Sequence, residues 1–370
     1  MERALATSRK LYSSPSPVRR RIRLMIVDDS TVARAVLSRM IESDSAFEIA
    51  AVAGSAEHAI EALGECRVDI VILDLEMPGA GGLKSIPQII AAARGAKVMI
   101  VSSLAEEGAE QTVAALALGA ADTLPKPGAG RFNGRFSEIL LSKLKALGYA
   151  AAPLNVALRS PVPGDSALLL PMSADPLELL AIGASTGGIH ALGTLFQALP
   201  RQIGVPILVT QHLPVPFMPV FARQLSATAQ RECLVAEDGI ELRPDRILLA
   251  PGDAHLTLEP AARNCIVRLT HERSSSGCLP SVDPMFASAA ANFHGGALGV
   301  VLSGMGRDGL EGAARMVAAG GSVLAQDETS SAVWGMPRAI FESGLACGVF
   351  PTDKIARRII ARAEEQFACK

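Results

Sequence analysis

The chain has 370 residues, with 35 basic and 37 acidic side chains, 49% hydrophobic residues and 19% charged residues. This composition excludes global disorder, and the length is that of about two domains. Seven basic residues and one glutamate lie in residues 1–23, so the remainder, with 28 basic and 36 acidic side chains, is acidic. An acidic body with only 4% aromatic residues argues against nucleic-acid binding.

The six cysteines are scattered, and none forms a CxxC pair. Their spacing supports neither a zinc site nor a disulfide framework, and reduced thiols predict a cytoplasmic protein. The longest uncharged run, 286–306, contains five glycines and divides into a helix pattern and a strand pattern. We therefore expect no insertion into a membrane.

Residues 1–22 are rich in Ser, Pro and Arg and predict a disordered basic extension. In residues 23–148, short apolar runs alternate with segments of helical period. The predicted strands are 24–27, 49–53, 70–73 and 98–101, with a short fifth one before Lys126, and the predicted helices lie near 31–43, 56–64, 83–94, 107–118 and 136–147. Near-continuous apolar strands between helices predict a doubly wound parallel α/β sheet of the flavodoxin-like kind.

Residues 149–174 contain four prolines and little periodicity, which predicts an interdomain linker. Residues 175–370 resume the alternation and predict a second, mostly parallel α/β domain. Its predicted strands lie near 178–182, 205–210, 246–250, 265–269, 298–302 and 322–325, and its helices near 188–198, 217–228, 284–293, 309–319 and 354–366.

Polar side chains follow the predicted strands of the first domain. Asp28 and Asp29 follow the first strand, Asp74 the third, Ser102 closes the fourth and Lys126 follows the fifth. A single aspartate at a strand end is usually a turn residue or a helix cap, but five such residues in order favour a site, because parallel strand ends share one edge. Crowded carboxylates there predict a hard cation such as Mg²⁺ beside an incoming phosphoryl group.

These residues resemble the receiver domain of two-component response regulators, through Asp-Asp at 28–29, Asp-Leu-Glu-Met-Pro at 74–78, Ser102 and Lys-Pro at 126–127. The resemblance implies that Asp74 accepts the phosphoryl group from a histidine kinase and that Ser102 and Lys126 contact it. It also implies that Asp28, Asp29 and Asp74, with the backbone carbonyl of Glu76, bind Mg²⁺.

Two positions depart from the receiver pattern. Thr123 stands three residues before Lys126, where many receivers carry a switch aromatic, and Gly81 stands where an aspartate is usual. The first departure concerns the signalling rotation and leaves the phosphorylation chemistry intact.

Residues 183–187 read Gly-Ala-Ser-Thr-Gly, between an apolar strand and a helical segment. This G-x-S-x-G context fits a nucleophile elbow, a phosphate-binding loop or a plain tight turn. A dinucleotide site also needs an acidic residue at the end of the next strand, and that strand ends Thr-Gln-His.

A histidine and an aspartate follow two further predicted strands of the second domain. Ser185, His212 and Asp308 therefore all lie beyond carboxyl ends of strands, where a nucleophile, its base and the carboxylate that orients the base belong together. Each also has a simpler interpretation, as a loop histidine or a helix cap. The competing candidates for base and carboxylate are His190, His255, His294, Asp253 and Asp283.

Several further motifs resemble the catalytic domain of chemotaxis protein-glutamate methylesterases. They are I-G-A-S-T-G-G at 182–188, T-Q-H at 210–212, A-P-G-D-x-H at 250–255, P-S-V-D at 280–283, S-G-M-G-R-D-G at 303–309 and G-M-P-R at 335–338. The resemblance, with the receiver in front, covers about 23–368. It implies that Ser185 is the nucleophile, His212 the base and Asp308 its orienting carboxylate, with an oxyanion site near Thr186 and the Met305 backbone.

We therefore expect a phosphorylation-activated serine hydrolase that demethylates glutamyl methyl esters on methyl-accepting chemoreceptors and also deamidates glutamines, with no cofactor for hydrolysis. The unphosphorylated receiver is expected to pack over the catalytic edge. The alternative is a response regulator whose second domain is a non-catalytic binding module. The expected form is a cytoplasmic monomer.

Overall fold

The computed structural model describes residues 20–77, 82–102, 106–127, 134–151, 169–261 and 265–368. Most of the predicted basic extension and of the predicted linker, together with Pro78 and Gly81, lies outside the described residues.

The first sheet has five parallel strands in the order β2-β1-β3-β4-β5. Its strands are β1 (Ile22–Val27), β2 (Phe47–Ala53), β3 (Ile70–Leu73), β4 (Lys97–Ser102) and β5 (Asp122–Pro125). Its helices are α1 (Thr31–Glu42), α2 (Ala56–Glu65), α3 (Gly82–Ala92), α4 (Glu106–Ala117) and α5 (Gly134–Ala151). This strand order is that of flavodoxin-like sheets, and it confirms the fold class predicted for the first domain.

Local sequence explains where these elements begin. Ser30 and Ser55 precede α1 and α2, and each hydroxyl accepts a hydrogen bond of 3.3 Å from a backbone N–H in the first turn. Strand β3 is buried along its whole length, as expected of a central strand with helices on both faces.

The second sheet has seven parallel strands in the order β14-β13-β12-β6-β7-β9-β8. Its strands are β6 (Leu179–Ala184), β7 (Ile207–Gln211), β8 (Cys233–Val235), β9 (Ile247–Leu249), β12 (Ala297–Val301), β13 (Ser322–Gln326) and β14 (Gly348–Phe350). The helices are α6 (Gly188–Ala198), α7 (Met218–Ala229), α8 (Val282–Phe293), α9 (Leu310–Ala318), α10 (Met336–Glu342) and α11 (Thr352–Ala368). The mostly parallel α/β class predicted for this domain is confirmed.

One predicted strand has a different setting. The segment predicted at 265–269 forms β11 (Cys265–Thr270), which pairs antiparallel with β10 (His255–Pro260) in a separate two-stranded sheet. The connection of only four residues between them allows an antiparallel return, whereas a parallel one needs a long crossover. Strands β8, β10 and β14 and helix α10 were not predicted; β8 and β14 have three residues each, too few for a recognisable pattern.

The first domain contacts the turn that follows β6. The Gly187 N–H donates to the Ala121 carbonyl at 2.6 Å, and His190 Nδ1 lies 3.1 Å from the Ala117 carbonyl. Helix α4 also packs against α6 and α7. The carboxyl edge of the second sheet therefore lies against the end of α4 and the start of β5, as expected from the sequence. Among the described residues, no helix has the length and apolar content to cross a membrane.

Candidate active site

The turn after β6 presents Ser185 at the start of α6. The Ser185 N–H donates to the Ser303 carbonyl at 3.0 Å, and the Gly188 N–H donates back to the Ser185 carbonyl at 2.7 Å. Gly187 has φ +78°, and a Cβ at this position would collide with Ala332 and Ser303. The glycine-rich sequence therefore folds as the strand–turn–helix that a nucleophile elbow requires.

Neighbouring strands bring the three candidate catalytic residues to one edge. Strand β6 lies between β12 and β7, so the segments carrying Asp308, Ser185 and His212 are adjacent. The His212 N–H donates to the Ala184 carbonyl at 3.1 Å, which holds the histidine next to the serine turn. Ser185 and His212 line the same small cavity.

His212 and Asp308 form a direct pair, with Nε2 of the imidazole 2.8 Å from Oδ2 of the carboxylate. Asp308 is buried and also accepts hydrogen bonds from the Ser281 hydroxyl at 2.6 Å and the Val282 N–H at 2.8 Å. Burial alone would raise the pKa of Asp308, but His212 and the two fixed donors outweigh it and hold this pKa well below its ordinary range. Asp308 is therefore a stable anion beside the imidazole.

The imidazole of His212 is held towards its charged form. Burial would lower its pKa, but the hydrogen bond to Asp308 and the neighbouring Cys278 raise the pKa of His212 to about 9. The surroundings of the pair therefore favour an imidazolium beside a carboxylate. To act as a base, His212 first has to lose a proton, which a change in its surroundings can promote.

The competing residues have other contacts. Both ring nitrogens of the buried His255 are engaged, Nε2 with the Glu272 carbonyl at 2.8 Å and Nδ1 with the Ser281 N–H at 2.9 Å. Asp283 accepts from the Gly312 N–H at 2.8 Å, and burial together with the charge of Asp308 raises the pKa of Asp283 to about 6. His190 faces the first domain, while Asp253 and His294 are exposed.

Two residues that sequence reasoning did not single out complete the surroundings of this pair. Ser281 connects Asp308 and His255, and it belongs to the P-S-V-D motif, so the motif was the available signal. The thiol of Cys278, the imidazole of His212 and the carboxylate of Asp308 each offer an atom within 4.8 Å of the others. An isolated cysteine in a loop carries no sequence signal for this placement.

The two predicted oxyanion residues lie in different surroundings. Thr186 is buried, and its hydroxyl donates to Oδ2 of Asp122 in the first domain at 2.7 Å. Met305 is exposed and lines a cavity of about 580 Å³ that also reaches Asp308 and Cys278. Of the two predicted oxyanion residues, Thr186 is therefore bonded to the first domain, whereas Met305 faces an open cavity of the second domain.

The carboxylates predicted at the receiver edge form a cluster. Asp28, Asp29 and Asp74 offer oxygen atoms within 4.8 Å of one another, a donor set that fits Mg²⁺. Nζ of Lys126 lies 3.0 Å from Asp28 and 2.7 Å from Asp74. Burial, reinforced by the charge of Asp28, raises the pKa of Asp74, although Lys126 opposes the shift. The Glu76 N–H donates to Asp74 at 3.3 Å.

Ser102 and Thr123, the two positions considered for the receiver switch, lie on the neighbouring strands β4 and β5. The Ser102 hydroxyl is 2.6 Å from that of Thr112 in α4. Thr123 is buried and lines the cavity shared with Ser185 and His212. Thr123, which replaces the aromatic residue usual in receivers, therefore lies at the contact with the second domain.

Comparison with known proteins agrees with this architecture. The model of the response regulator receiver domain family matches residues 24–131, and that of the CheB methylesterase family matches residues 180–359. The fold and these matches define a response regulator whose output domain is a parallel α/β methylesterase domain.

Individual relatives span nearly the whole chain. The Caulobacter vibrioides protein-glutamate methylesterase/protein-glutamine glutaminase 2 is 40% identical over 348 residues, 92% of this chain and 99% of the relative. The corresponding protein 1 of Paramagnetospirillum magneticum is 36% identical over 377 residues, 95% and 98% of the two chains. The solved structure of the Thermotoga maritima CheB methylesterase catalytic domain is 34% identical in sequence. The match spans 50% of this chain and 99% of that domain, with a TM-score of 0.49. The chain belongs to the family of receiver-linked protein-glutamate methylesterases.

Proposed function

We propose that this protein is a phosphorylation-activated serine hydrolase that demethylates glutamyl methyl esters, and deamidates glutamines, on methyl-accepting chemoreceptors. The observation that carries the proposal is the 2.8 Å pair of His212 and Asp308 beside the Ser185 turn. The names of the relatives supply the substrate class. A non-catalytic second domain is not favoured, because a binding module would not need this buried ion pair next to a nucleophile elbow.

The proposed reaction follows from the placement of these residues. Ser185 Oγ attacks the ester carbonyl while His212 takes its proton, and Asp308 stabilises the imidazolium. The oxyanion is received by backbone N–H groups near Thr186 and Met305. His212 then gives its proton to the departing methoxide, which leaves as methanol. Water activated by the same histidine hydrolyses the glutamyl ester of Ser185, and an amide substrate releases ammonia by the same path.

Asp74 is the proposed phosphorylation site, with a chemotaxis-type histidine kinase as donor. Asp28, Asp29, Asp74 and the backbone carbonyl of Glu76 would hold Mg²⁺, which supplies positive charge beside the incoming phosphoryl group. Lys126 already bridges two of these carboxylates and is placed to pair with phosphoryl oxygens. Ser102 offers the hydroxyl that would follow the phosphoryl group.

Inhibition by the unphosphorylated receiver is supported by the small volume that remains between the receiver and Ser185. The cavity shared by Thr123, Ser185 and His212 has a volume of about 10 Å³, room for about one water molecule. An ester side chain cannot enter it. Asp122 of the receiver also engages the Thr186 hydroxyl at 2.7 Å, beside the proposed oxyanion site. The receiver thus both covers Ser185 and brings the Asp122 carboxylate next to the proposed oxyanion site.

Domain limits of 23–148 for the receiver and 175–370 for the hydrolase, joined by 149–174, remain our proposal, as do the cytoplasmic location and the monomeric state. Five cysteines among the described residues carry free thiols, which supports a reducing compartment.

Methanol release from a methylated chemoreceptor tests the proposal. Ser185→Ala should abolish methanol release, because it removes the nucleophilic hydroxyl. The fold should persist, because Ser185 lies in a half-buried turn where the substitution changes little packing. Ser288→Ala, which removes a half-buried hydroxyl of α8 bonded only to the Met285 carbonyl, is the matched control and should retain activity. Turnover by Ser185→Ala would overturn the covalent mechanism.

A further inference from the structure

Cys278 lies beside the His212–Asp308 pair. Its sulfur, a ring nitrogen of His212 and a carboxylate oxygen of Asp308 all lie within 4.8 Å of one another. Among the described residues, the only other group of this kind is the all-carboxylate cluster of the receiver. The two groups differ in chemistry, because only the one at Cys278 contains sulfur and nitrogen.

The loop between β11 and α8 fixes the cysteine at this place. The Cys278 carbonyl accepts from the Ser274 hydroxyl at 2.9 Å, and the Cys278 N–H donates to the Ser276 hydroxyl at 3.3 Å. Three residues later, the Ser281 hydroxyl donates to Asp308 at 2.6 Å. The thiol is therefore held against the ion pair by backbone contacts on both sides of the cysteine.

Thiolate, imidazole and carboxylate together form a ligand set for a borderline divalent transition metal. Zinc binds these groups at about 2.0–2.3 Å, so its tetrahedral ligands lie about 3.5 Å apart. The separations, none above 4.8 Å, need a closure of at most about 1.3 Å at Cys278, which is in a loop. The His212–Asp308 pair, now 2.8 Å apart, has to open by about 0.7 Å to admit the ion. Mg²⁺ and Ca²⁺ prefer oxygen ligands and are disfavoured by the sulfur.

We infer that Cys278, His212 and Asp308 form an inhibitory site for a zinc-like divalent cation, with water as the fourth ligand. The thiol proton and the proton shared by His212 and Asp308 pass to solvent as the metal–sulfur and metal–nitrogen bonds form. The ion then holds the base and its carboxylate, so the imidazole cannot take a proton from Ser185. The inhibitory consequence rests on the proposed function, whereas metal binding does not.

Two cavities give an ion a route to the site. One of about 580 Å³ is lined by Cys278, Asp308 and Met305, and another of about 510 Å³ is lined by Cys278, His255 and His271. Both reach the thiol from the side of the second domain. A metal ion can therefore enter while the receiver still covers Ser185.

Cobalt(II) binding to the full chain, in excess Mg²⁺ to fill the receiver carboxylates, tests the site directly. Cobalt replaces zinc in such sites, and a thiolate ligand adds a near-ultraviolet charge-transfer band. We expect one equivalent of this band in the wild type and its loss in both Cys278→Ala and Cys278→Ser. Cys66→Ala, which removes another half-buried thiol at the end of α2 in the first domain, should keep the band. A wild type without the band, or a band that survives in both Cys278 variants, overturns the proposal.

Zinc inhibition of methanol release tests the consequence, with every variant compared with its own rate in a chelator. Loss of even an outer-shell partner weakens metal binding about 10-fold or more, so Cys278→Ala should need at least that much more zinc for half-inhibition. Equal zinc sensitivity of Cys278→Ala and wild type contradicts the assignment. If the wild type is inactive in chelator yet shows the cobalt band, the proposed function fails while the metal site stands.

Discussion

The receiver and the hydrolase domain each place a buried aspartate after a parallel strand, and they balance its charge differently. Asp74 faces a second carboxylate and the partly exposed ammonium of Lys126, and its pKa is raised, chiefly by burial. Asp308 accepts from a hydroxyl and a backbone N–H and pairs with His212, and these partners hold its pKa well below its ordinary range.

This difference separates a carboxylate that is to be modified from one that is to stay charged. Lys126 is 21% exposed on its side chain and can re-pair with incoming oxygens, whereas the donors to Asp308 are built into the start of α8. Fixed backbone donors favour the anion without having to reorganise. An aspartate after a parallel strand can therefore serve either as a phosphoryl acceptor, as proposed for Asp74, or as a permanent anion, as proposed for Asp308.

The largest expected effect comes from removing the charge of Asp308. Asp308→Asn should lower kcat by orders of magnitude, as loss of an orienting carboxylate costs about 10⁴-fold in serine proteases. Methanol-release kinetics would show this, and thermal unfolding would verify that the fold persists. Asp353→Asn is the control, since Asp353 is exposed in the first turn of α11 and pairs with Arg357. Wild-type kcat in Asp308→Asn would make Asp283 or Asp253 the better candidate.

Activation through Asp74 should be the next largest effect. With Mg²⁺ and a small phosphodonor, the wild type should become about 10-fold more active if phosphorylation changes receiver docking by about 1.4 kcal/mol. The ratio of activities with and without phosphodonor should fall to one in Asp74→Asn, because no acceptor remains. Activation of Asp74→Asn would place the phosphorylation elsewhere.

A smaller effect is expected from neutralising Asp122, the receiver carboxylate that accepts the hydrogen bond of Thr186 beside the proposed oxyanion site. Asp122→Asn should raise the activity of the unphosphorylated chain several-fold, because the charged hydrogen bond to Thr186 contributes about 1 kcal/mol to docking. Glu110→Gln, which loses only the exposed pair with Arg223, should change little. Since Asp122 also pairs with Lys143, the response of the variant to phosphodonor would verify that its receiver is folded. Equal basal rates in all three proteins would rule out this contact as an inhibitory one.

The pH dependence of hydrolysis should show the raised pKa of His212. Only the neutral imidazole can take the serine proton, so kcat/KM of the full chain should rise with pH through a limb well above the ordinary 6.5 and towards 9. Because the folded pKa is the higher one, the stability that His212 contributes is fully present below about 6.5 and is lost as pH rises through about 9. A limb at or below 6.5 would show that the ion pair does not persist in the active form.

Much of the site was predictable because its residues follow strands that the sequence reveals. Near-continuous apolar runs identified β6, β7 and β12, and the shared edge of parallel strands placed Ser185, His212 and Asp308 together. Short elements such as β8 and β14 were missed, because three residues carry no period.

What the sequence by itself determined is the pair of parallel α/β sheets and the identity of the side chains at their carboxyl edges, since the apolar pattern and the strand ends are local features of the sequence. Only the tertiary structure decided that Cys278 meets His212, that Ser281 holds Asp308 and that Asp122 of the receiver reaches Thr186. These contacts join residues up to 66 positions apart, and no local pattern records them. They depend on the path of the loop before α8 and on how one domain packs against the other, which are settled by the packing of the whole chain.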